Sequence, residues 1–564
     1  MSTFDYIIVG GGTAGDSPSH NGLPSYIHAN SSSHTGLVLA SRLSAALPEC
    51  TFLVIEEGSD GDPRIEAAQG YHQGMDRTIE WDHYTVPQKG LNGKVVGQAQ
   101  GKIIGGSSAI NMQGWVRGPS VDFDQWAVKV GDVRWSWAGL LPYFKKSEAF
   151  FPTLDQKAGD VSIAHGFEGP IKVSHSTNSG IPRNYPLRDT IARAYESIGV
   201  SKILDHNAGE VLGYTDVQMS TYKGKRYWSS SYTFGDKVTT WTKSSAEKVL
   251  FEGKKATSVQ ILRRLADGSS ERVIVTARNE ILVTSGVQGS AKLLLLSGIG
   301  PLDELNKHVI HQICDLPVGE NYSDHPVFHT FWKLRDRGLT MGDMPLISPE
   351  CDFTAGTPGD WMAWHQHNEV VNNTGKGVID DSSVGWLLAE GKAHTESFSL
   401  YGHFDLSGAG VANPGGSCIV LASLLMTPTS RGTLTLRSAD PKDAPFLDPN
   451  LLGNDVDRDL LIAGGRVIMS MMHGPVGQKI GAQEYGIDEA LQCNTSDDAM
   501  MARILKTGRT GAHGSGTCAM GSVVDAECRV KGIDGLRVVD ASVFPFPIAG
   551  HYQAAVYAIA EQVS

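Results

Sequence analysis

Several features are missing from this sequence of 564 residues, and each absence excludes a class of protein. No run reaches the roughly 18 consecutive apolar residues of a membrane-spanning helix, so we expect no membrane span. Basic residues number 48 against 61 acidic ones, and the net charge of −13 argues against a nucleic-acid partner, because phosphate contacts need clustered Lys and Arg. The 7 cysteines form no CxxC pair, and we expect no metal site.

Targeting signals are also missing from both ends of the sequence. The first residues read MSTFDYIIVGGG and lack a basic stretch followed by a separate apolar segment, so they do not match a secretory signal. The last residues read AIAEQVS, which is not a peroxisomal SKL-type signal. Together with the scattered cysteines, these features predict a reduced, cytoplasmic protein.

What is present is typical of a large globular enzyme. Hydrophobic residues make up 41% of the chain and charged residues 19%. The length predicts two or more domains. The 65 glycines exceed average usage, which favours many tight turns and close backbone approaches to a bound molecule.

The N-terminus contains a dinucleotide-binding fingerprint. Residues 4–9 read FDYIIV, a β-branched run that predicts a buried parallel strand, and GGGTAG follows at residues 10–15. In this GxGxxG pattern the first glycine makes a tight turn, the second lets the backbone approach a pyrophosphate, and the third packs the helix on the strand. The candidate cofactor residues are Gly10, Gly12, Thr13, Ala14 and Gly15. A glycine-rich turn with no ligand is the alternative.

A second strand supplies the acidic residue that the fingerprint requires, but at the wrong distance. Residues 51–55 read TFLVI and lead into Glu56 and Glu57, candidates for binding the ribose hydroxyls. Glu56 lies 41 residues after Gly15, about twice the expected gap, and removing residues 16–36 reduces that gap to 20. The removed segment is rich in Ser, His, Asn, Pro and Gly and has no hydrophobic periodicity, so residues 16–36 form an anomalous insertion.

We interpret this insertion as a possible retained intron. Its 21 residues correspond to 63 nucleotides, which keeps the reading frame, and the codons at its two ends permit a segment that begins with GT and ends with AG. The alternative is a genuine loop beside the dinucleotide, with Thr35 and Gly36 restarting the helix.

Four further blocks extend the pattern along the chain. They read GKIIGGSSAINMQGWVRGPSVDFDQWA at 101–127, GVQGSAKLLLLSGIGP at 286–301, DLPVGENYSDHP at 315–326 and HGSGTCAM at the start of 513–561. With the N-terminal fingerprint, these blocks resemble the glucose–methanol–choline (GMC) family of FAD-dependent oxidoreductases, especially its fungal aryl-alcohol-oxidase-like and secondary-metabolism members. The resemblance spans nearly the whole chain in the family's order.

The resemblance implies a mixed α/β protein, α+β overall, with two parts. A Rossmann-like FAD-binding domain is expected from residues 1–170, 215–330 and 510–564, and a substrate-binding domain with an antiparallel sheet and helices from 171–214 and 331–509. Strand-like runs at 416–422 and 432–436 support that sheet independently.

The resemblance also implies which residues form the site. His513 matches the family's catalytic histidine and would be the general base, since an imidazole accepts a proton near neutral pH. His551 matches the second histidine or asparagine of the pair and would orient the hydroxyl group. Ile110 stands where some members carry a histidine that binds FAD covalently, so we expect non-covalent FAD. Further expected cofactor contacts are Trp81, Gly105, Gly106, Ser107, Asn111, Met112, Asp540 and Ala541.

The predicted function is oxidation of a small-molecule alcohol to a carbonyl in fungal secondary metabolism, with hydride transfer to FAD and with oxygen or a quinone-like compound as electron acceptor. Ala512, before His513, replaces a bulky ring of aromatic-alcohol members and favours a larger substrate. Two alternatives stay open: a non-redox member, either a cyanohydrin lyase or a cyclase, that keeps FAD as a scaffold, and an inactive splice product.

Overall fold

The computed structural model describes residues 2–11, 35–67, 77–153, 161, 163–265, 267–486 and 489–564. Gly12, Thr13, Ala14 and Gly15, and residues 16–34 of the predicted insertion, lie outside these ranges. The helices within them are α1 (Thr35–Ala46), α2 (Ser107–Ile110), α3 (Ser120–Val130), α4 (Trp137–Ser147), α5 (Arg188–Ser197), α6 (Gly286–Leu296), α7 (Leu302–Lys307), α8 (Asn368–Thr374), α9 (Asp381–Leu387), α10 (Asp455–His473), α11 (Pro475–Lys479), α12 (Asp497–Thr507) and α13 (Gln553–Val563).

The strands are distributed along the chain, with eight in succession between Gly213 and Val283. They are β1 (Ser2–Val9), β2 (Phe52–Ile55), β3 (Glu148–Phe151), β4 (Ile171–His175), β5 (Gly213–Asp216), β6 (Gln218–Met219), β7 (Thr221–Tyr222), β8 (Lys225–Arg226), β9 (Val238–Trp241), β10 (Ser244–Glu252), β11 (Lys255–Arg264), β12 (Ser270–Val283), β13 (Pro326–Lys333), β14 (Trp361–His365), β15 (Thr395–Leu400), β16 (Cys418–Leu425), β17 (Thr433–Thr435), β18 (Phe446–Asp448), β19 (Gln483–Glu484), β20 (Arg509–Thr510) and β21 (Leu536–Val538).

The first large sheet has a parallel centre and an antiparallel extension. β1 lies between β12 and β2 and is parallel to both, and β2 is parallel to β9. β10, β11 and β12 continue the sheet as antiparallel neighbours, and β21 pairs in parallel with the end of β12. The two strands predicted at residues 4–9 and 51–55 are therefore confirmed, and they are adjacent, so the residues that follow them meet at one edge of the sheet.

Helices α6 and α13 pack deep inside the part that contains the first sheet. Every residue of α6 is buried, including Gln288 and Lys292, and α13 is buried from Gln553 to Glu561. Helices buried on all sides belong to a core. Because α13 begins two residues after His551, its burial fixes the backbone on one side of that histidine.

The second large sheet is antiparallel throughout. Its strand order is β19, β13, β16, β15, β14 and β5, and β20 pairs with β13. The strand predicted at residues 416–422 is confirmed as β16. Successive side chains of a strand point to opposite faces, so Glu396, Phe398 and Leu400 of β15 share one face of this sheet.

The predicted strand at residues 432–436 has a different partner from the one we expected. It forms β17, which pairs only with β18 in a two-stranded sheet. Leu434, Leu436 and Leu447 pack in the core of the first sheet, although our division assigned them to the substrate-binding domain. The domain boundaries stay a prediction. In the parts of the chain described above, no helix combines the length and the apolar character needed to cross a membrane.

Candidate functional site

Two buried histidines meet at one end of an internal cavity. His513 follows β20, and His551 lies on the loop before α13, where its backbone nitrogen donates to the Val116 carbonyl at 3.0 Å. The two ring centroids are 5.0 Å apart, and both side chains line the cavity. Side chains 38 positions apart in sequence thus converge on one volume, as the resemblance predicted.

A carboxylate contacts the ring of His551. Nε2 of His551 lies 3.0 and 3.1 Å from the two carboxylate oxygens of Glu396, which is fully buried on β15. A carboxylate only accepts hydrogen bonds, so Nε2 carries the hydrogen and donates it. Nδ1 of His551 has no hydrogen-bond partner among the described residues. It lies against Gly114, where a Cβ would be 2.5 Å from Nδ1, so only glycine leaves room for this ring.

The neighbours of His513 are different, because its ring contacts a neutral imidazole. Nδ1 of His513 lies 2.9 Å from Nδ1 of His325, and Nε2 of His325 lies 3.1 Å from the hydroxyl of Tyr552. Burial lowers the pKa of His325 to about 3, with a smaller effect from nearby His551, so His325 is uncharged near neutral pH. A neutral imidazole can accept from one nitrogen and donate from the other.

Asp324 fixes the backbone at His513. Its Oδ1 accepts from the His513 backbone nitrogen at 2.8 Å, and its Oδ2 accepts from Gln98 at 3.1 Å and from Thr510. Burial raises the pKa of Asp324 to about 6, partly offset by these donors. The Asp324 side chain therefore links its own segment to that of Gln98 and to the segment from Thr510 to His513.

The cavity beyond the histidines is mostly apolar and has a volume of about 60 Å³. An apolar lining with a few polar groups is typical of small-molecule sites. Gly511 lines it and Ala512 does not, so the residue before His513 does not itself set the width. The polar residues on its wall, besides the histidines, are Thr357, Asp360 and Ser399. The apolar side chains are Met112, Val217, Met219, Val327, Trp361, Met362, Phe398, Leu400 and Leu424.

The predicted dinucleotide residues within the described ranges lie together at the ends of β1 and β2. Gly10 has φ of +116°, and a Cβ there would be 2.5 Å from the Thr284 carbonyl oxygen, so the position requires glycine. Glu56 is fully buried, its Oε1 accepts from the Gly58 backbone at 2.6 Å, and its Oε2 has no partner among the described residues. Burial raises the pKa of Glu56 well above its usual range. Glu57 and Gly10 line a much smaller cavity of about 10 Å³.

Gly36 lies in close contact with the first glycine of the fingerprint. Helix α1 begins at Thr35, and a Cβ at Gly36 would lie only 2.0 Å from the Gly10 carbonyl oxygen. Gly36 therefore makes the close helix–strand contact that we assigned to Gly15, and counting back over the 21-residue insertion places Gly36 at position 15.

The turn at residues 105–108, which reads GGSS, contacts the glycine-rich fingerprint directly. The Gly105 backbone nitrogen donates to the Gly11 carbonyl at 2.9 Å, and Gly105 and Gly106 have φ of +90° and +52°. Ser107 is buried and its Oγ accepts from the Gly101 nitrogen at 3.0 Å. The chain continues from Ser107 to Met112 on the cavity wall. This segment therefore connects the predicted dinucleotide site with the cavity that contains the two histidines.

Asn111 connects this segment to α13. Its Nδ2 donates to Gln553 at 2.9 Å, and its Oδ1 accepts from Arg226 at 2.8 Å. Gln553 in turn donates to the Gly114 carbonyl at 2.8 Å. These contacts hold the backbone beside both Met112 and His551.

The remaining predicted contacts occupy buried positions nearby. Asp540 accepts from the Gly286 nitrogen at 2.8 Å and from Ser290 at 2.6 Å, so it caps α6 and joins it to the C-terminal block. Ala541 is fully buried beside it. Trp81 is buried, its ring lies 4.3 Å from the Lys102 ammonium group, and its Nε1 has no partner among the described residues.

Two histidines separated by one residue, His365 and His367, have the spacing of metal ligands but bond to hydroxyl groups. Nε2 of His365 lies 2.8 Å from the Ser397 hydroxyl, and Nε2 of His367 lies 2.8 Å from the Thr395 hydroxyl. Among the residues that the structure describes, no group of three or more His, Cys, Asp or Glu side chains is placed to hold a metal ion.

Comparison with known proteins identifies the family. The N-terminal GMC oxidoreductase family model matches residues 4–327, and the C-terminal one matches residues 428–560. The chain belongs to the GMC oxidoreductases. It is 36% identical to the GMC-type oxidoreductase acuG of Aspergillus aculeatus, covering 100% of this chain and 98% of that one. It is 30% identical to patulin synthase of Aspergillus clavatus, covering 100% and 91%.

A solved structure agrees with both the fold and the cofactor. A variant of Aspergillus oryzae formate oxidase, studied for the effect of its mutation on FAD modification, is 25% identical and superposes with a TM-score of 0.84 over 100% of this chain and 97% of that one. The chain is an oxidoreductase of mixed α/β fold, and FAD is its expected cofactor.

Four residues of the site escaped the sequence reasoning. His325 lies within the block at 315–326, and Tyr552 directly follows His551, but neither residue has a spacing that reveals its contact. Glu396 lies in a strand without any motif, and its role depends on strand pairing that places it beside a loop 155 residues away. Gly36 was noted only as a possible helix start.

Proposed function

We propose that this protein binds FAD non-covalently and oxidises a small-molecule alcohol to a carbonyl compound. The observation that carries the proposal is the pair of buried imidazoles, 5.0 Å apart at the end of an apolar cavity, with a carboxylate on one ring and a neutral imidazole on the other. When bound, FAD supplies the acceptor for the hydride that leaves the alcohol carbon.

The described residues fit a flavin dinucleotide. The Glu56 carboxylate has a buried oxygen without a partner, suited to accept from ribose hydroxyls, and Gly10 and Gly11 permit close approach of a pyrophosphate. Ile110 is buried with Ile65 and Ile103 and has no atom that can bond to the cofactor, which supports non-covalent binding. The proposed cofactor contacts are Gly10, Gly12, Thr13, Ala14, Gly15, Glu56, Glu57, Trp81, Gly105, Gly106, Ser107, Asn111, Met112, Asp540 and Ala541.

His513 is the proposed general base. A base must have an unprotonated nitrogen facing the substrate. If Nδ1 of His513 donates to neutral His325, the other nitrogen, Nε2, holds a lone pair that can accept the hydroxyl proton. Nε2–H of His325 then donates a hydrogen bond to the Tyr552 hydroxyl, and His325 is a positioning residue that selects the tautomer of His513.

His551 is the proposed donor to the developing alkoxide. It is the imidazole of the pair that has a carboxylate against its ring; in its doubly protonated form Nε2 donates to Glu396 and Nδ1 is the second donor. A donor aimed at the oxygen where negative charge develops is most effective in a site that excludes water. Both rings are buried and the wall is apolar, which supports this division of roles.

The setting of the reaction is also part of the proposal. Relatives from two Aspergillus species, one of them a patulin synthase, support a role in fungal secondary metabolism. Oxygen or a quinone-like compound would reoxidise the flavin, and the predicted location is the cytoplasm.

An anaerobic spectrum of the protein with bound FAD tests the proposal. We expect the flavin absorbance to bleach when cinnamyl alcohol is added without oxygen, because hydride leaves the alcohol, and we expect cinnamaldehyde in matching amount. The non-redox alternatives, a cyanohydrin lyase or a cyclase, leave the flavin oxidised during turnover. Bleaching by no member of a panel of primary and secondary alcohols would contradict the proposal.

Replacement of Glu56 tests the cofactor site separately. We expect Glu56→Gln to weaken FAD binding by about 10- to 100-fold, because a charged acceptor for the ribose hydroxyls is lost. The measurement is the Kd for FAD from flavin fluorescence after reconstitution. Glu66→Gln, an exposed carboxylate on the same segment, is the matched control and should leave the Kd unchanged. An unchanged Kd in Glu56→Gln would mean that Glu56 only accepts from the Gly58 backbone.

A further inference from the structure

His83 is a buried imidazole that the site described above does not use. Its side chain is 4% exposed, and its Nδ1 has no hydrogen-bond partner among the described residues. The indole of Trp81 is also buried, and its Nε1 lacks a partner in the same part of the chain. The two rings stack with their centroids 5.6 Å apart and their planes inclined by 17°. Two adjacent polar atoms buried without partners cost free energy, unless a ligand completes their hydrogen bonds.

The local strand pairing fixes the direction in which these two rings point. Two short segments form an antiparallel ladder in which His83 lies opposite Gln98 and Trp81 lies opposite Gln100. The Gln98 backbone nitrogen donates to the His83 carbonyl at 2.7 Å, and the Trp81 nitrogen donates to the Gln100 carbonyl at 2.8 Å. Directly opposite residues, and residues two apart on one strand, share a face. The two rings and the two glutamine side chains therefore lie on one face of the ladder.

The two glutamines show what this face connects. Gln100 donates to the Ser285 carbonyl at 3.0 Å, and the Ser285 hydroxyl donates to the last carbonyl of β1 at 2.9 Å. Gln98 donates at 3.1 Å to Asp324, whose other carboxylate oxygen holds the backbone of the proposed general base. The face that contains His83 thus runs from the dinucleotide turn to the base. A bound FAD spans the same two points in the proposed function.

The charges around His83 favour an anion. Burial lowers the pKa of His83 to about 3, with smaller effects from the positive charges of Lys292 and Lys102, so the ring is uncharged near neutral pH. The same two ammonium groups interact with Glu57 and Glu56, the acidic residues that follow β2. A neutral imidazole carries its hydrogen on either nitrogen, and an anion beside Nδ1 selects the tautomer that donates from Nδ1. Donors within a positive potential suit a phosphate group.

We propose that His83 and Trp81 are cofactor-binding residues that donate from Nδ1 and Nε1 to the pyrophosphate of FAD. The inference rests on the proposed function and extends its cofactor site to His83, which belongs to no glycine-rich motif. A hydrogen bond to a charged acceptor contributes about 10- to 100-fold in affinity.

Three variants of His83 test the proposal in the full chain reconstituted with FAD. His83→Phe keeps a ring against Trp81 but removes both nitrogens, and we expect the Kd for FAD to rise about 10-fold or more. His83→Asn keeps a donor near the position of Nδ1 and should retain most of the affinity. His83→Gln places its amide near the position of Nε2 and should bind as weakly as His83→Phe. His311→Phe, at an exposed histidine, is the matched control and should leave the Kd unchanged.

Fragments of the cofactor separate the pyrophosphate from the flavin ring. ADP carries two phosphate groups and riboflavin carries none. His83→Phe should therefore weaken the binding of ADP, measured by competition with FAD, as much as that of FAD, and should leave the Kd for riboflavin unchanged. Thermal unfolding distinguishes a binding role from a structural one. Without FAD, His83→Phe should not lower Tm, because it removes an unpartnered polar group, whereas the gain in Tm on adding FAD should be smaller than in the wild type.

These measurements separate failure of this proposal from failure of the proposed function, because none of them requires turnover. If FAD and ADP bind the wild type more tightly than His83→Phe, but no alcohol bleaches the flavin, the oxidation is overturned and the pyrophosphate contact is supported. Bleaching by an alcohol with the same Kd for FAD in the wild type and in His83→Phe would overturn the contact alone. Equal loss of FAD and riboflavin affinity in His83→Phe would overturn it too, as would equal loss of FAD affinity in His83→Asn and His83→Phe.

Discussion

Replacement of His513 by alanine is expected to lower kcat at neutral pH by about a thousandfold, because the alcohol loses the base that accepts its proton. The residual activity should rise with pH, since hydroxide must then remove the proton. His551→Ala should cost about a hundredfold, the effect of losing one donor to the developing alkoxide, and should keep the pH dependence set by His513. The measurement is kcat and kcat/KM against pH, with FAD content determined for each variant.

Two further variants act through the neighbours of this pair. Glu396→Gln keeps the shape of the side chain but removes the charge 3.0 Å from Nε2 of His551, and it should lower kcat about tenfold while leaving KM nearly unchanged. Tyr552→Phe removes the hydroxyl group 3.1 Å from Nε2 of His325 and should shift the pH profile rather than abolish activity. If the inflection in the plot of kcat against pH is lost in His551→Ala and kept in His513→Ala, His551 is the base and His513 is the donor.

The sequence was sufficient for the parts of the site that depend on local pattern. A β-branched run before glycines predicts β1 and the Gly10 turn, and the acid after β2 follows from the same fingerprint, because neighbouring parallel strands bring their ends together. His513 and His551 were found through the family's motifs, not through spacing. Their convergence depends on the burial of α13 and the pairing of β20 with β13.

The parts that the sequence did not predict depend on long-range pairing. Glu396 faces His551 because β15 lies at the centre of the second sheet with a fixed register, and a shift of one residue would turn its side chain to the other face. Strand order in an antiparallel sheet is not readable from any one strand, so Glu396 had no local signal.

Deletion of residues 16–36 is expected to strengthen FAD binding, so that the shortened chain purifies with about one FAD per chain and the full chain with less. In the structure, Gly36 touches the Gly10 carbonyl in the manner of the fingerprint's third glycine, a contact normally made five residues after the first. The deletion restores that spacing with Gly15, so the start of α1, with its free amides and helix dipole, again faces the pyrophosphate. The measurement is flavin absorbance per mole of purified protein for both chains.

A matched control shows whether flavin binds through this turn. Gly10→Val in the shortened chain introduces a Cβ that would lie 2.5 Å from the Thr284 carbonyl oxygen, at a φ of +116° that valine does not adopt, so its flavin should be lost. Equal, full FAD content in both parent chains would mean that the insertion is a tolerated loop and that the full chain is competent. A mature transcript that lacks the 63 nucleotides would support an intron origin, whereas a major message that retains them would make the insertion part of the protein, whatever its effect on FAD.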